Sequence, residues 1–358
     1  MTRVRFLRCA ACCLCLLILS SAISEADATT AQQEAVSPER EGTSSTASAP
    51  KPIAVTVGAF ITAVPCVDLV ESTFTFDAYV WFRWDPAVWP PEGAPQEVDL
   101  DEGPAATVEV IGAGELEKST IFLRPGYCCI HLVGKRLNRW DVRGYPFDNQ
   151  TLNLVLEDSA FDTSQLVYLA DTAESGISDD LGIMGARVHA PSATVAEYVY
   201  PTSFGDPMHS DADQSAYSRF TLSIPVQRDG LSIFFKLFSA LFISCAIAMC
   251  ALFIVPTQVD PRFGLGIGGL FGIVASNYAV TAVLPDTSGL CYADVMHMIG
   301  LLCVLVIIFE STYSLSLHLN HGEEGAATSK KLDRGTAAVL AVGMVALWAS
   351  VTYKFCVV

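Results

Sequence analysis

Four apolar segments, each long enough to cross a bilayer, occupy the C-terminal third of this chain, at residues 231–255, 262–284, 291–319 and 335–358. A hydrocarbon core about 30 Å thick needs roughly 20 helical residues at 1.5 Å rise each, and every backbone polar group inside it must be satisfied within the segment. The chain is therefore expected to be an integral membrane protein with a large N-terminal head and a four-helix membrane domain over 231–358. The second segment is unusual because Gly264, Gly266, Gly268, Gly269 and Gly272 crowd its first half. Small residues let helix backbones approach closely. That helix either packs tightly among its neighbours or lines a pore.

Charge is distributed unevenly. The formal net charge is −17, and residues 29–229 carry 29 acidic against 12 basic side chains, so the head holds all of the excess. Such a surface disfavours nucleic acid and raises the local concentration of cations, besides keeping an exported domain soluble. Residues 1–28 have the three parts of a secretory signal: Arg3, Arg5 and Arg8, an apolar stretch near Ala10–Ile23, and Ala26-Asp27-Ala28 for cleavage. With the head exported, the turn from Pro256 to Arg262 and the segment from Asn320 to Arg334 face inward, and Arg262, Lys330, Lys331 and Arg334 agree with the positive-inside tendency. This gives a multi-pass protein of the cell membrane with its N-terminal domain extracellular or periplasmic.

Of twelve cysteines, only Cys66, Cys128 and Cys129 fall in the head once the signal and the membrane segments are set aside. Neighbours on a strand point to opposite faces, so at most one of Cys128 and Cys129 can pair with Cys66. Their spacing fits no zinc site, and no metal or cofactor is expected.

Residues 29–52 are rich in Ser, Thr, Ala, Glu and Pro with little to bury, and read as a flexible leader. From Ile53 onward short alternating or β-branched runs appear at 53–61, 73–84, 106–111, 128–133, 151–156, 193–200 and 217–226. Turn-rich stretches separate them. The pattern predicts one antiparallel β-sandwich over 53–230. Almost no linker separates Arg228 from the first apolar segment.

Within the sandwich, Trp140–Asp158 reads WDVRGYPFDNQTLNLVLED. This Tyr-Pro-Phe-Asp turn between strands resembles the signature loop of the pentameric ligand-gated ion channels, the Cys-loop receptor superfamily. Animal members bracket the loop with a disulfide; Asn138 and Leu152 stand at those positions here, as is usual in bacterial members. Tyr79-Val80-Trp81-Phe82-Arg83-Trp84-Asp85 is similar to the strand that ends in the family's Trp-x-Asp. Pro261-Arg262-Phe263-Gly264-Leu265-Gly266-Ile267 is similar to the string that opens the pore helix of glycine and GABA-type receptors. Leu284-Pro285 and Glu310 also match bacterial members. Two departures stand out. The first span lacks the family's proline near Ser239, and Gly268 and Gly269 replace pore hydroxyls.

The resemblance implies an immunoglobulin-like extracellular sandwich, a transmembrane bundle and a homopentamer in the lipid bilayer. It places Asp260, Gly264, Gly268, Phe271, Ala275, Tyr278 and Ala282 on the pore face of the second helix. Rings of Phe271 and Tyr278 can then constrict a pore that gates by dewetting; the alternative is that Phe271 packs on another helix. A ring of Asp260 favours cations, whereas the Pro-Arg string is most like anion-selective relatives. With Arg262 turned off the axis, the balance falls to cations. Pro146, Phe147, Asp148, Arg228 and Pro285 are implied as coupling residues, with the turn resting on the outer loop 285–289.

For a ligand, the resemblance implies an aromatic site between subunits built from Tyr79, Trp81, Phe161, Tyr198, Tyr200 and Tyr217, around a hairpin at 206–213. Aromatic rings suit amines by cation–π attraction. A proton or a divalent cation acting on the acidic head is an equal alternative to a small extracellular amine. No nucleophile motif or phosphate-cradling glycine loop supports an enzyme. The rival reading is a non-conducting receptor or assembly scaffold with the same fold.

Overall fold

The computed structural model describes residues 51–91, 94, 100–202, 216–285 and 289–357, with side chains to Phe355. The signal segment, nearly all of the leader, the 206–213 hairpin and loop residues 286–288 lie outside the described residues. The described chain divides into a β unit (51–141 and 149–228) and a helical unit (142–148 and 229 onward).

The β unit holds β1 Ile53–Ala63, β2 Val67–Asp68, β3 Thr73–Arg83, β4 Val108–Val110, β5 Ala113–Arg124, β6 Tyr127–Leu137, β7 Asn149–Asp158, β8 Leu166–Ala170, β9 Gly176–Ile177, β10 Ala186–Val188, β11 Ser192–Val199 and β12 Ala216–Arg228. One sheet runs β5-β6-β3-β1-β8, with β2 on β3 and β9 on β1. The other runs β10-β12-β7-β4, with β11 on β12. Alternation makes the core: Val55, Val57, Ala59 and Ile61 on β1, Phe74 to Phe82 at every second position of β3, and Phe220, Leu222 and Ile224 on β12 all point inward. The intervening residues, including Asp77, Tyr79 and Trp81, form the outer face.

Five strands, β2, β5, β8, β9 and β10, have no counterpart among the sequence-predicted runs. Strand β5, AGELEKSTIFLR, is exposed along nearly its whole length and is held by its pairing with β6. An edge strand with little to bury carries little hydrophobic alternation. Strand β8 runs parallel to β1, and its five residues are too few to signal by pattern. Cys66, Cys128 and Cys129 are all free thiols. In place of the bracketing disulfide, the base of the signature loop is tied by hydrogen bonds. Asn138 Nδ2 donates to the Thr151 carbonyl at 3.1 Å, and Gln150 Nε2 to the Asp141 carbonyl at 2.8 Å.

The helical unit holds α1 Gly230–Cys250, α2 Val259–Thr281, α3 Tyr292–Asn320 and α4 Gly322–Val357, all four long and apolar enough to cross a membrane. Helix α4 starts well before residue 335. Its polar first turns, with Glu323, Glu324, Lys330, Lys331 and Arg334, are invisible to hydropathy, and the chain breaks only at Gly322, whose φ of +56° ends α3. Phe238, Leu241, Ile273, Val280, Met296, Ile299, Val304 and Met344 form the shared core.

Candidate functional site

Helix α2 has two unlike faces. Arg262, Gly266, Gly269, Ile273, Ser276 and Val280 are buried, at the three- and four-residue spacing of one helix stripe. Asp260, Gly264, Gly268, Phe271, Ala275, Tyr278 and Ala282 are all exposed, with Phe271 at 69% and Tyr278 at 74%. The glycines divide the same way. A Cβ at Gly269 would lie 2.7 Å from Ala248 Cβ, and one at Gly272 2.2 Å from Ser244 Oγ, so these two let α2 close on α1. A Cβ at Gly264 or Gly268 would meet nothing. Tight packing and an open face therefore both hold, on opposite sides of one helix.

Arg262 lies entirely inside the helical unit. Its guanidinium donates to the Ile254 carbonyl (2.8 Å), to Glu310 of α3 (3.2 Å) and to both carboxylate oxygens of Asp333 on α4 (2.7 and 3.1 Å). A bidentate arginine–carboxylate pair fixes both geometry and charge. The cluster ties α2 to α3, α4 and the α1–α2 connection, and its carboxylates pair with the arginine within the helical unit. Sequence reasoning named Glu310 and turned Arg262 off the exposed face; Asp333 it missed, having left it in a connecting loop.

In the β unit, Tyr198, Tyr200 and Tyr217 gather at the ends of β11 and β12. Tyr200 meets Tyr198 at 4.8 Å and Tyr217 at 5.7 Å between ring centroids, edge on in each case. A cation already sits there. The Arg219 guanidinium lies 3.5 Å above the Tyr198 ring, its Nε donates to Glu157 at 2.8 Å, and a terminal nitrogen donates to Tyr200 Oη at 3.0 Å. Tyr200 in turn donates to Glu157 at 2.7 Å. Burial, with the hydrogen bond to Glu157 and its charge, pushes the Tyr200 phenol up to about 12, so it stays a donor.

The other aromatic positions separate. Phe161 is a correction to the sequence reading: it is fully buried in the sandwich core, edge on to Trp89 at 5.8 Å, and presents no surface to a ligand. The backbone N–H of Phe161 is capped by the buried Asp158, which its turn needs and which the apolar core fixes in place. Trp81 donates its Nε1 to Asp171 at 3.0 Å, sharing that carboxylate with Arg83. Tyr79 is exposed on the outer face, stacked on His131.

The turn from Val142 to Asp148 packs among helices. The Phe147 ring lies 5.7 Å from Phe234 on α1 and 6.0 Å from Tyr292 on α3, and the Tyr292 N–H donates to the Arg143 carbonyl at 2.8 Å. Gly230 permits the approach, since a Cβ there would fall 2.5 Å from Phe147 and 2.7 Å from the Pro146 carbonyl. Asp148 and Pro146 are buried. The sequence reading placed this turn on the loop 285–289, of which residues 286–288 lie outside the described residues; among the described residues the turn packs on the first turns of α1 and α3. Pro285 is half-buried at the end of α2, and Arg228 closes β12 opposite Ala186.

No family model matches the chain. It is 22% identical over 309 residues, 80% of this chain and 79% of the other, to a curated protein described as a proton-gated ion channel of Gloeobacter violaceus (strain ATCC 29082 / PCC 7421). That similarity spans both units, and a β-sandwich followed by four membrane-length helices bears out the resemblance to the pentameric ligand-gated channels without the signature disulfide.

Proposed function

We propose that this chain, with the architecture of the pentameric ligand-gated ion channels, is the subunit of a homopentameric channel that conducts cations when protons bind its exported head. One observation carries the reading: α2 exposes Asp260, Phe271 and Tyr278 along one face while it encloses Arg262 between Glu310 and Asp333. Five such faces around an axis give an acidic ring at one mouth, with no free arginine charge beside it, and two aromatic constrictions beyond. A ring of identical head-to-tail interfaces closes as a pentamer.

The tyrosine cluster supports protons as the stimulus. An amine agonist needs a vacant aromatic seat, and here Arg219 fills it, with Glu157 neutralising its charge. A proton needs no such seat, and the curated relative carries proton gating in its description. Phe147 and its neighbours supply the route to the helices, because their turn joins β6 to β7 yet packs on α1 and α3.

Purified protein in planar bilayers, exposed to falling external pH, should pass current whose reversal potential in asymmetric NaCl lies toward the sodium equilibrium value. Asp260→Asn should move that potential toward zero. A parent protein of confirmed pentameric mass that stays silent at every pH would overturn the channel reading. An unchanged reversal potential in Asp260→Asn would overturn the assignment of selectivity to this ring.

A further inference from the structure

The outer face of the sheet containing β1, β3 and β6 carries a group of polar side chains that neither the core nor the tyrosine cluster uses. His131 on β6 lies opposite Tyr79 on β3, and their rings stack at 4.8 Å with 24° between planes. His131 Nε2 is 2.9 Å from Asp77 Oδ1, and Thr62 Oγ1 of β1 donates to that same oxygen at 2.6 Å. Both ionisable side chains remain in partial contact with water, at 27% and 33% exposure.

The charge surrounding His131 is mostly negative. From β3 come Asp77 and Tyr79; from β5, Ser119 lies opposite and Glu117 two pairs further along, opposite Val133. On β6 itself the same face holds Cys129 and Lys135, and Lys135 is bonded to Glu71. Burial pushes the Cys129 thiol up, so it adds no charge. Burial also pulls the Asp77 carboxyl upward, but the hydrogen bonds from Thr62 and His131, with the His131 charge, together hold it below its ordinary range. Asp77 is thus a standing carboxylate at any pH where imidazole titrates.

A carboxylate only accepts hydrogen bonds, so Nε2 must carry the hydrogen that faces Asp77. The neutral ring then keeps its basic lone pair on Nδ1. Taking up one proton there leaves an imidazolium that is paired with a carboxylate and lies on the face of a tyrosine. We propose that His131, held by Asp77 and Tyr79, is the site where the head takes up its activating proton. This deepens the proton-gated reading and rests on it. Protonation turns a neutral group stacked on the exposed Tyr79 into a cation on the outer face of the sheet.

Two measurements on the full-length protein in nanodiscs separate the site from the channel. In NMR spectra with labelled histidine, assigned by difference from His131→Gln, the His131 ring signals should change over the same pH range that activates current. Asp77→Asn should alter that pH-dependent change, because it removes the carboxylate paired with Nε2. In current recordings His131→Gln should move the pH of half-maximal activation about one unit toward acid, a tenfold rise in the protons required. His131→Arg, with its fixed charge, should pass current at neutral pH, and His189→Gln should behave as the parent. A ring that does not titrate in this range overturns the site. So does an unshifted half-activation pH in His131→Gln with normal acid-evoked current, while the channel reading survives. If the parent is silent at every pH but the ring responds to pH and to Asp77→Asn, the channel reading falls and with it the activating role of His131, which is then only a proton-binding group.

Discussion

Two arginines, one in each unit, are satisfied by the chain's own carboxylates, and they are placed in opposite ways. Arg219 keeps 18% of its side chain in contact with solvent, lies on an exposed tyrosine and pairs with one carboxylate. Arg262 is wholly enclosed and pairs with two. On the proposed reading the first is a plug: it covers the tyrosine face that an amine would otherwise take. The second is a strut. Desolvating an ion costs several kcal/mol, so an enclosed guanidinium persists only while its partners persist. Charge at the solvent edge can therefore tune specificity, whereas charge in the helical unit fixes helix positions.

The contrast breaks most visibly at the strut. Arg262→Leu leaves Glu310 and Asp333 enclosed without their cation, a loss of about 3–5 kcal/mol. It should show as a low yield of monodisperse protein and a lowered melting temperature in detergent. Replacing Arg262, Glu310 and Asp333 together by Leu should recover most of that loss, since well-packed apolar groups often substitute for a buried ion cluster. A single Arg262→Leu variant as stable as the parent would show that the strut is no strut.

At the plug the expected effect is intermediate. Arg219→Ala combined with Glu157→Gln vacates the face of Tyr198 without stranding a carboxylate. Cation–π attraction of about 1–2 kcal/mol from each of Tyr198 and Tyr200 then predicts tetramethylammonium binding with a Kd of about 1–30 mM where the parent binds none. Calorimetric titration reads this directly, and equal heats in variant and parent would remove the plug from the account.

Asp77 lies at the exposed end of the same scale, and its effect should be the smallest, below about 1 kcal/mol. Its folded carboxyl is held below the ordinary 3.8. The stabilisation is therefore present above that value and disappears as pH falls through the folded pKa. Denaturation of the parent followed from pH 6 to pH 2 should lose this increment in the acid limb, and Asp77→Asn should flatten that limb by lacking the same increment near neutrality while matching the parent in acid.

The predicted coupling at the turn extends the contrast to apolar contacts. Phe147→Ala removes a ring that touches Phe234 and Tyr292. It should shift the pH of half-maximal activation while leaving single-channel conductance alone; an unaltered activation curve in a correctly assembled variant would limit Phe147 to a structural part.

Local pattern made much of this molecule readable before any fold was known. A run of apolar residues of membrane length has one solution in lipid, because unsatisfied backbone groups are too costly there, and so the four helices followed from hydropathy. Alternation with period two marked β1, β3, β7, β11 and β12, whose inward residues must leave water. The exposed face of α2 was legible from helical spacing anchored on a motif. What pattern does not carry is the identity of partners far apart in sequence. That Asp333 closes on Arg262, that Arg219 covers Tyr198, that Phe161 goes inward rather than to a ligand, and that His131 meets Asp77 were decided by tertiary packing. A side chain's charge is fixed by its chemistry, but whether that charge is spent on the chain itself or left for a ligand depends on which distant residues the fold brings within about 3 Å of it.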